Sequence, residues 1–216
     1  MKNQWISSIF LLLVALALHK TPAFSQQPTH AHMHDSTERS GNAHVRSANV
    51  KVPDVIVLDQ NNRRLHFYRD LVQGKTVAIN FIFTTCTTIC PPLTANFANI
   101  QRKMLKRGDK NLHLISVSVD PENDTPAKLK SYAEMFNAQP GWTFVTGTRS
   151  DLERIWNAFS ISAGNKLDHS PTVVIGNDSG HQWTFASGLN SPEKLAGVID
   201  GVIANDGKKP AISATK

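Results

Sequence analysis

Residues 76–83, Thr-Val-Ala-Ile-Asn-Phe-Ile-Phe, form an almost unbroken apolar run. A run this short and rich in β-branched residues reads as a strand buried on both faces. A second such run, 112–119, follows a segment at 92–107 in which Leu93, Phe97, Ile100, Met104 and Leu105 repeat at helical spacing. Two buried strands joined through a helix lie parallel, since a tight turn cannot reverse the chain for them. Pro92 suits the first turn of that helix and Gly108 its end.

The remaining pattern extends this unit. Before it, 55–58 and 65–68 flank a polar turn and predict a hairpin, and 71–74 is a short connection. After it come a helix from Pro126 to about Phe136, a strand at 142–145, and a helix to Phe159 opened by the capping box Ser150-Asp151-Leu152-Glu153. A hairpin at 171–175 and 181–185 and a helix from 191 to about 203 close the order. Asp120 and Asp124 read as caps of the helix at 126. The expected fold is α/β and thioredoxin-like: a mixed central sheet flanked by helices, with an N-terminal β-hairpin extension.

The outer segments have a different composition. Lys2, the apolar core 9–18 and Ala23-Phe24-Ser25 give 1–25 the layout of a cleaved secretory signal. Residues 26–51 are polar and read as a flexible linker containing His30, His32, His34 and His44. The folded domain is expected over 52–205 and a frayed tail over 206–216. A net charge of +6 without a concentrated patch gives no reason to expect a nucleic-acid partner.

Both cysteines of the chain, Cys86 and Cys90, stand between the first buried strand and its helix, in Thr84-Thr85-Cys86-Thr87-Thr88-Ile89-Cys90-Pro91-Pro92. Ligand and catalytic groups of open α/β sheets gather at this end of the strands. A helix start also favours thiolate over thiol. In an exported chain the Cys86–Cys90 pair can close a disulfide, and the same spacing can hold one soft metal ion. His169, in Asp168-His169-Ser170-Pro171, lies on a loop this layout brings towards the thiols and is the candidate third ligand. With no third cysteine, two sulfurs and one imidazole suit low-coordinate copper better than structural zinc. Pro171 stands where a cis proline would fit. Thr84, Thr85, Thr87 and Thr88 can bond either thiolates or loop backbone.

These residues together resemble the Sco/SenC family. The resemblance spans about 52–203 and rests on C-x-x-x-C-P at Cys86 to Pro91, on Val119-Asp120-Pro121-Glu122-Asn123-Asp124-Thr125-Pro126, on Thr146-Gly147-Thr148 and on Asp168-His169-Ser170. It implies a thioredoxin-like fold and one copper ion, Cu(I) or Cu(II), held by Cys86, Cys90 and His169. It also implies a protein client with copper-binding thiols, a cytochrome c oxidase subunit, served by copper delivery or by dithiol reduction. The implied location is the bacterial periplasm or the outer face of the inner membrane, with a reductant supplied to the dithiol. The segment 160–168 is shorter than the family's usual insertion. Two other functions use the same residues. A thiol–disulfide oxidoreductase would use the cysteine pair directly, and a peroxidase would use Thr87-x-x-Cys90-Pro91.

Overall fold

The computed structural model describes residues 45–109, 112–162, 171–178 and 182–204. Its centre is the expected parallel unit. Strand β4 (Thr76–Ile82) is buried at every position and pairs in parallel with β5 (Leu112–Ser118), which pairs in parallel with β6 (Trp142–Thr146). On the other side of β4 the antiparallel hairpin of β7 (Thr172–Asn177) and β8 (Gln182–Ser187) extends the sheet. The N-terminal hairpin, β2 (Ile56–Asp59) with β3 (Arg64–His66), adds antiparallel to β6. With β1 (Arg46–Asn49) against β8, the sheet runs β1-β8-β7-β4-β5-β6-β2-β3.

Alternation along the strands assigns the helices to faces. Phe97 of α1 (Cys90–Arg107) packs on Trp142, and Tyr132 of α2 (Pro126–Met135) packs on Phe144, two residues along the same strand. Both helices therefore cover one face. The end of α3 (Arg149–Ala158) covers the other, where Phe159 meets Phe81 and Trp183. Helix α4 (Pro192–Ala204) is tied to α1 by the Lys103–Glu193 and Arg107–Asp200 ion pairs. Gly176 has to be glycine, since a Cβ there would lie 2.3 Å from the indole of Trp183 across the ladder.

Several local expectations change. The 26–51 segment, read as flexible, ends in a strand at 46–49. Its side chains carry little apolar signal, and it is held by ladder bonds to β8 and by Arg46 lying over the Phe185 ring. The connection after the first hairpin is a π-helical turn, Phe67–Val72, closed by the Gln73 N–H on the Tyr68 carbonyl. Helix α3 starts two residues earlier than the 150–153 box implies, because Thr148 is the cap. Its hydroxyl accepts the Asp151 N–H and donates to the Asp151 carboxylate at 2.7 Å. Helix α2 is capped by Thr125, not by Asp120 or Asp124. The signal, the histidines at 30, 32, 34 and 44, and the tail lie outside the described residues. Among the described residues no helix is long and apolar enough to cross a membrane.

Candidate metal and redox site

The chain leaves β4 at Ile82 and reaches α1 at Cys90, so the dithiol loop sits at the carboxyl end of the central strand. The Cys86 N–H closes a turn onto the Phe83 carbonyl at 3.1 Å. That turn puts the Cys86 sulfur in front of the helix, where it accepts the Cys90 N–H at 3.3 Å. Read from spacing alone, cysteines four apart at a helix start share its first turn; in the structure Cys90 is the first helical residue, and Cys86 precedes the Ile89 N-cap.

The prolines explain this arrangement. A side chain at an N-cap ordinarily accepts from the second or third helical N–H. Here those positions are Pro91 and Pro92, which have no N–H to give. Ile89 offers no side-chain cap, and the next amide, Leu93, bonds the Ile89 carbonyl at 3.3 Å. The Cys90 amide is left as the first-turn donor, and it is spent on sulfur.

The two thiols differ in consequence. Both are free and buried, with Cys90 fully enclosed and Cys86 7% exposed. Burial alone would raise the Cys86 pKa. The thiol and N–H of Cys90 and the bonds from Thr88 outweigh it and hold Cys86 below the ordinary thiol range. Thr88 Oγ1 lies 3.9 Å from the sulfur. Burial pushes Cys90 well above that range, and its neighbour Cys86 adds to the effect. The arrangement yields one anion-stabilised, slightly exposed sulfur backed by a protonated, fully enclosed reserve.

Beneath the loop lies a residue whose place in the sequence predicts only a helix cap. The Asp124 carboxylate is fully buried and accepts the Thr84 N–H at 3.0 Å, the Thr84 hydroxyl at 2.6 Å and the Ser118 hydroxyl at 2.6 Å. Burial outweighs these bonds and raises its pKa. Asp120 turns to its own loop, accepting both bonds from Asn123 Nδ2 at 3.0 Å. Thr84 thus serves the backbone mount, and of the four threonines Thr88 is the one that bonds a cysteine side chain. The contact between Thr84 and Asp124 spans 40 positions, too far for local pattern to reveal.

His169, Asp168 and the Ser170–Pro171 bond lie outside the described residues. Pro171 itself accepts the Gly188 N–H at 2.6 Å, and Gly188 and Asn190 offer carbonyls to Asn96 of α1. A Cβ on Gly188 would collide with Leu93 at 2.0 Å, so the start of β7 and the dithiol helix are joined closely here. Among the described residues no group of three or more His, Cys, Asp or Glu side chains could hold a metal ion. The two sulfurs are soft donors that fit a soft cation such as Cu(I).

The chain is similar to a SCO1 protein homolog of Bacillus subtilis, 40% identical over 96 residues, covering 44% of this chain and 49% of that protein. Among solved structures, BsSco, described as a member of the Sco family of cytochrome c oxidase assembly proteins with a disulfide switch, matches with a TM-score of 0.61. That match has 26% identity over 74% of this chain and 96% of the other. Arabidopsis thaliana ScoI, solved with copper bound, gives a TM-score of 0.61 at 20% identity over 73% and 99% of the two chains. The SCO1/SenC family profile matches residues 57–204, from within β2 to the end of α4. With the dithiol loop and strands β3 to β8 inside that span, the chain belongs to the SCO1/SenC family.

Proposed function

We propose that this protein is an exported copper carrier. It holds one copper ion through Cys86, Cys90 and His169 and passes it to the thiols of a client protein, a cytochrome c oxidase subunit under assembly. The observation that carries this reading is the pair of free, buried, unequal thiols at the carboxyl end of β4. Two thiolates match Cu(I) in softness, and copper supplies the cargo chemistry. Cys86, the more readily ionised and more exposed sulfur, meets the ion first, and Cys90 gives up its proton as the second donor. Stepwise exchange of donors with client thiols then moves the ion onward. On this reading residues 1–25 direct export, the histidine-containing stretch ahead of β1 forms a linker, and the chain acts in the periplasm or at the outer face of the inner membrane.

The test is titration of the fully reduced protein with Cu(I) against a competing chelator. Stoichiometric tight binding, lost in Cys86→Ser and Cys90→Ser and weakened in His169→Ala, is expected. Tight binding unchanged in His169→Ala removes that residue as a ligand.

The inequality of the thiols also favours a second reading, dithiol reduction of a client. The Cys86 thiolate attacks a client disulfide and expels one client thiolate. Cys90, deprotonated, then attacks the mixed disulfide at Cys86 and releases the second. The client gains two electrons, and Cys86–Cys90 is left as a disulfide that an external dithiol must reduce. Copper-independent insulin reduction at a rate matching dedicated oxidoreductases would favour this role over carriage. The peroxidase pattern suits the site least, since it would make the fully enclosed Cys90 the peroxide-reactive thiol.

A further inference from the structure

The dithiol loop is short, and the Cys86 backbone is tied to its first residues through the N–H on the Phe83 carbonyl. Thr84 follows β4, and the Phe83–Cys86 turn follows from where Thr84 is held. Thr84 is held by one group, since its N–H and its hydroxyl both end on Oδ1 of Asp124. That carboxylate is itself fixed. Its Oδ2 accepts the Ser118 hydroxyl, whose oxygen also accepts the Asp120 N–H at 3.0 Å. The Asp124 N–H bonds the Asp120 carbonyl at 2.9 Å. The end of β5 is locked to its neighbours in turn, with the Val119 N–H on the Ile82 carbonyl and the Trp156 indole N–H on the Ser118 carbonyl. A buried carboxylate filled by three donors has no freedom to move, and it passes that rigidity to whatever donates to it.

We propose that Asp124 is a positioning residue for the dithiol: it fixes Thr84, and through the Phe83–Cys86 turn it keeps the Cys86 sulfur on the Cys90 amide. The inference rests on the reading that Cys86 is the leading sulfur of the site. It assigns Asp124 no contact with metal or client. Its effect is on how often the sulfur occupies the place where the helix amide meets it. Support at one remove from the donor atoms is a general requirement of metal sites.

Asp124→Ala, Asp124→Asn and Thr84→Val in the full chain separate position from charge. Asn keeps an oxygen for both Thr84 donors and turns its amide to Ser118 Oγ, which can accept. Two readouts apply after thermal melting has established that each variant folds. One is the pH profile of Cys86 alkylation, followed by peptide mass. The other is Cu(I) affinity by chelator competition. Asp124→Ala is expected to slow Cys86 alkylation at neutral pH and to weaken Cu(I) binding by about 10-fold, with Asp124→Asn close to the parent. Should Asp124→Ala not fold, Thr84→Val carries the test, with a smaller slowing expected. A charge effect would have the opposite sign, because removing a nearby anion makes thiols ionise more easily. Faster alkylation in both Asp124 variants therefore overturns the proposal, as does parental behaviour in a folded Asp124→Ala or, failing that, in Thr84→Val. If the parent fails to bind Cu(I) while Asp124→Ala still slows alkylation, the copper reading falls and the positioning role stands.

Discussion

Two adjacent βα loops at the same end of the sheet start their helices in opposite ways. The loop after β5 enters α2 with Pro126 at the first position and an ordinary cap, Thr125 Oγ1 accepting the Lys128 N–H at 3.4 Å. The loop after β4 enters α1 with no side-chain cap at Ile89, prolines at the second and third positions, and a sulfur on the remaining first-turn amide. The first helix start is built for stability. The second withholds a cap so that a cysteine takes its place, and helix entry becomes the means of stabilising a thiolate. Placing the prolines one position later converts a stock helix start into a chemical site.

The strongest way to break this comparison is to ask whether the sulfur at the helix start behaves as an anion. In the reduced protein at neutral pH, iodoacetamide should modify Cys86 at least about 10-fold faster than Cys90. Cys86 is held below the ordinary thiol range, so its rate should level off as pH rises through that lowered pKa. The rate of Cys90, raised by burial, should still be climbing at alkaline pH. Peptide mapping over a pH series measures both, and equal rates would end the argument for unequal thiols.

A smaller effect is expected at the ordinary cap. Thr125→Ala should cost about 1 kcal/mol in chemical denaturation and leave the Cys86 profile where it was. A shift in that profile would mean the two loops are not independent at their helix starts.

The smallest effect sharpens the role of the prolines. Ile89→Ser supplies a favoured capping residue but should change stability by less than about 0.5 kcal/mol, since no second or third amide is there to cap. In a Pro92→Ala background the same substitution should gain about 0.5–1 kcal/mol, because an amide is restored. A double-mutant cycle in urea reads the difference, and a gain already present with both prolines in place would show that some other donor serves the cap.

Much of this was legible in the chain. The apolar runs of β4 and β5 gave the parallel centre because strands covered on both faces have no polar side to disguise them. Proline positions gave the start of α2 exactly because a ring at the first position needs no amide, but the same rule placed α1 two residues late. A proline is also tolerated at the second and third positions, where amides are equally unpartnered. The capping pattern at 150–153 misplaced the start of α3, whose cap is Thr148. The cysteine pair was plain from spacing, while Asp124 was not, since its role is created by a fold that brings position 124 under position 84. Strand β1 was hidden by its polar sequence, Arg-Ser-Ala-Asn, held by ladder bonds to β8 and by Arg46 over Phe185.

That last strand bears on how the protein avoids its own kind. An open sheet leaves an unpaired backbone row at each end, and such rows seed aggregation. Here the outermost strands are four residues long at one end and three at the other, each begins with an arginine, and Arg46 lies over Phe185 at 4.0 Å. Strands so short and charged are poor templates for a second sheet. The eight-stranded sheet therefore ends in two margins that discourage stacking edge to edge.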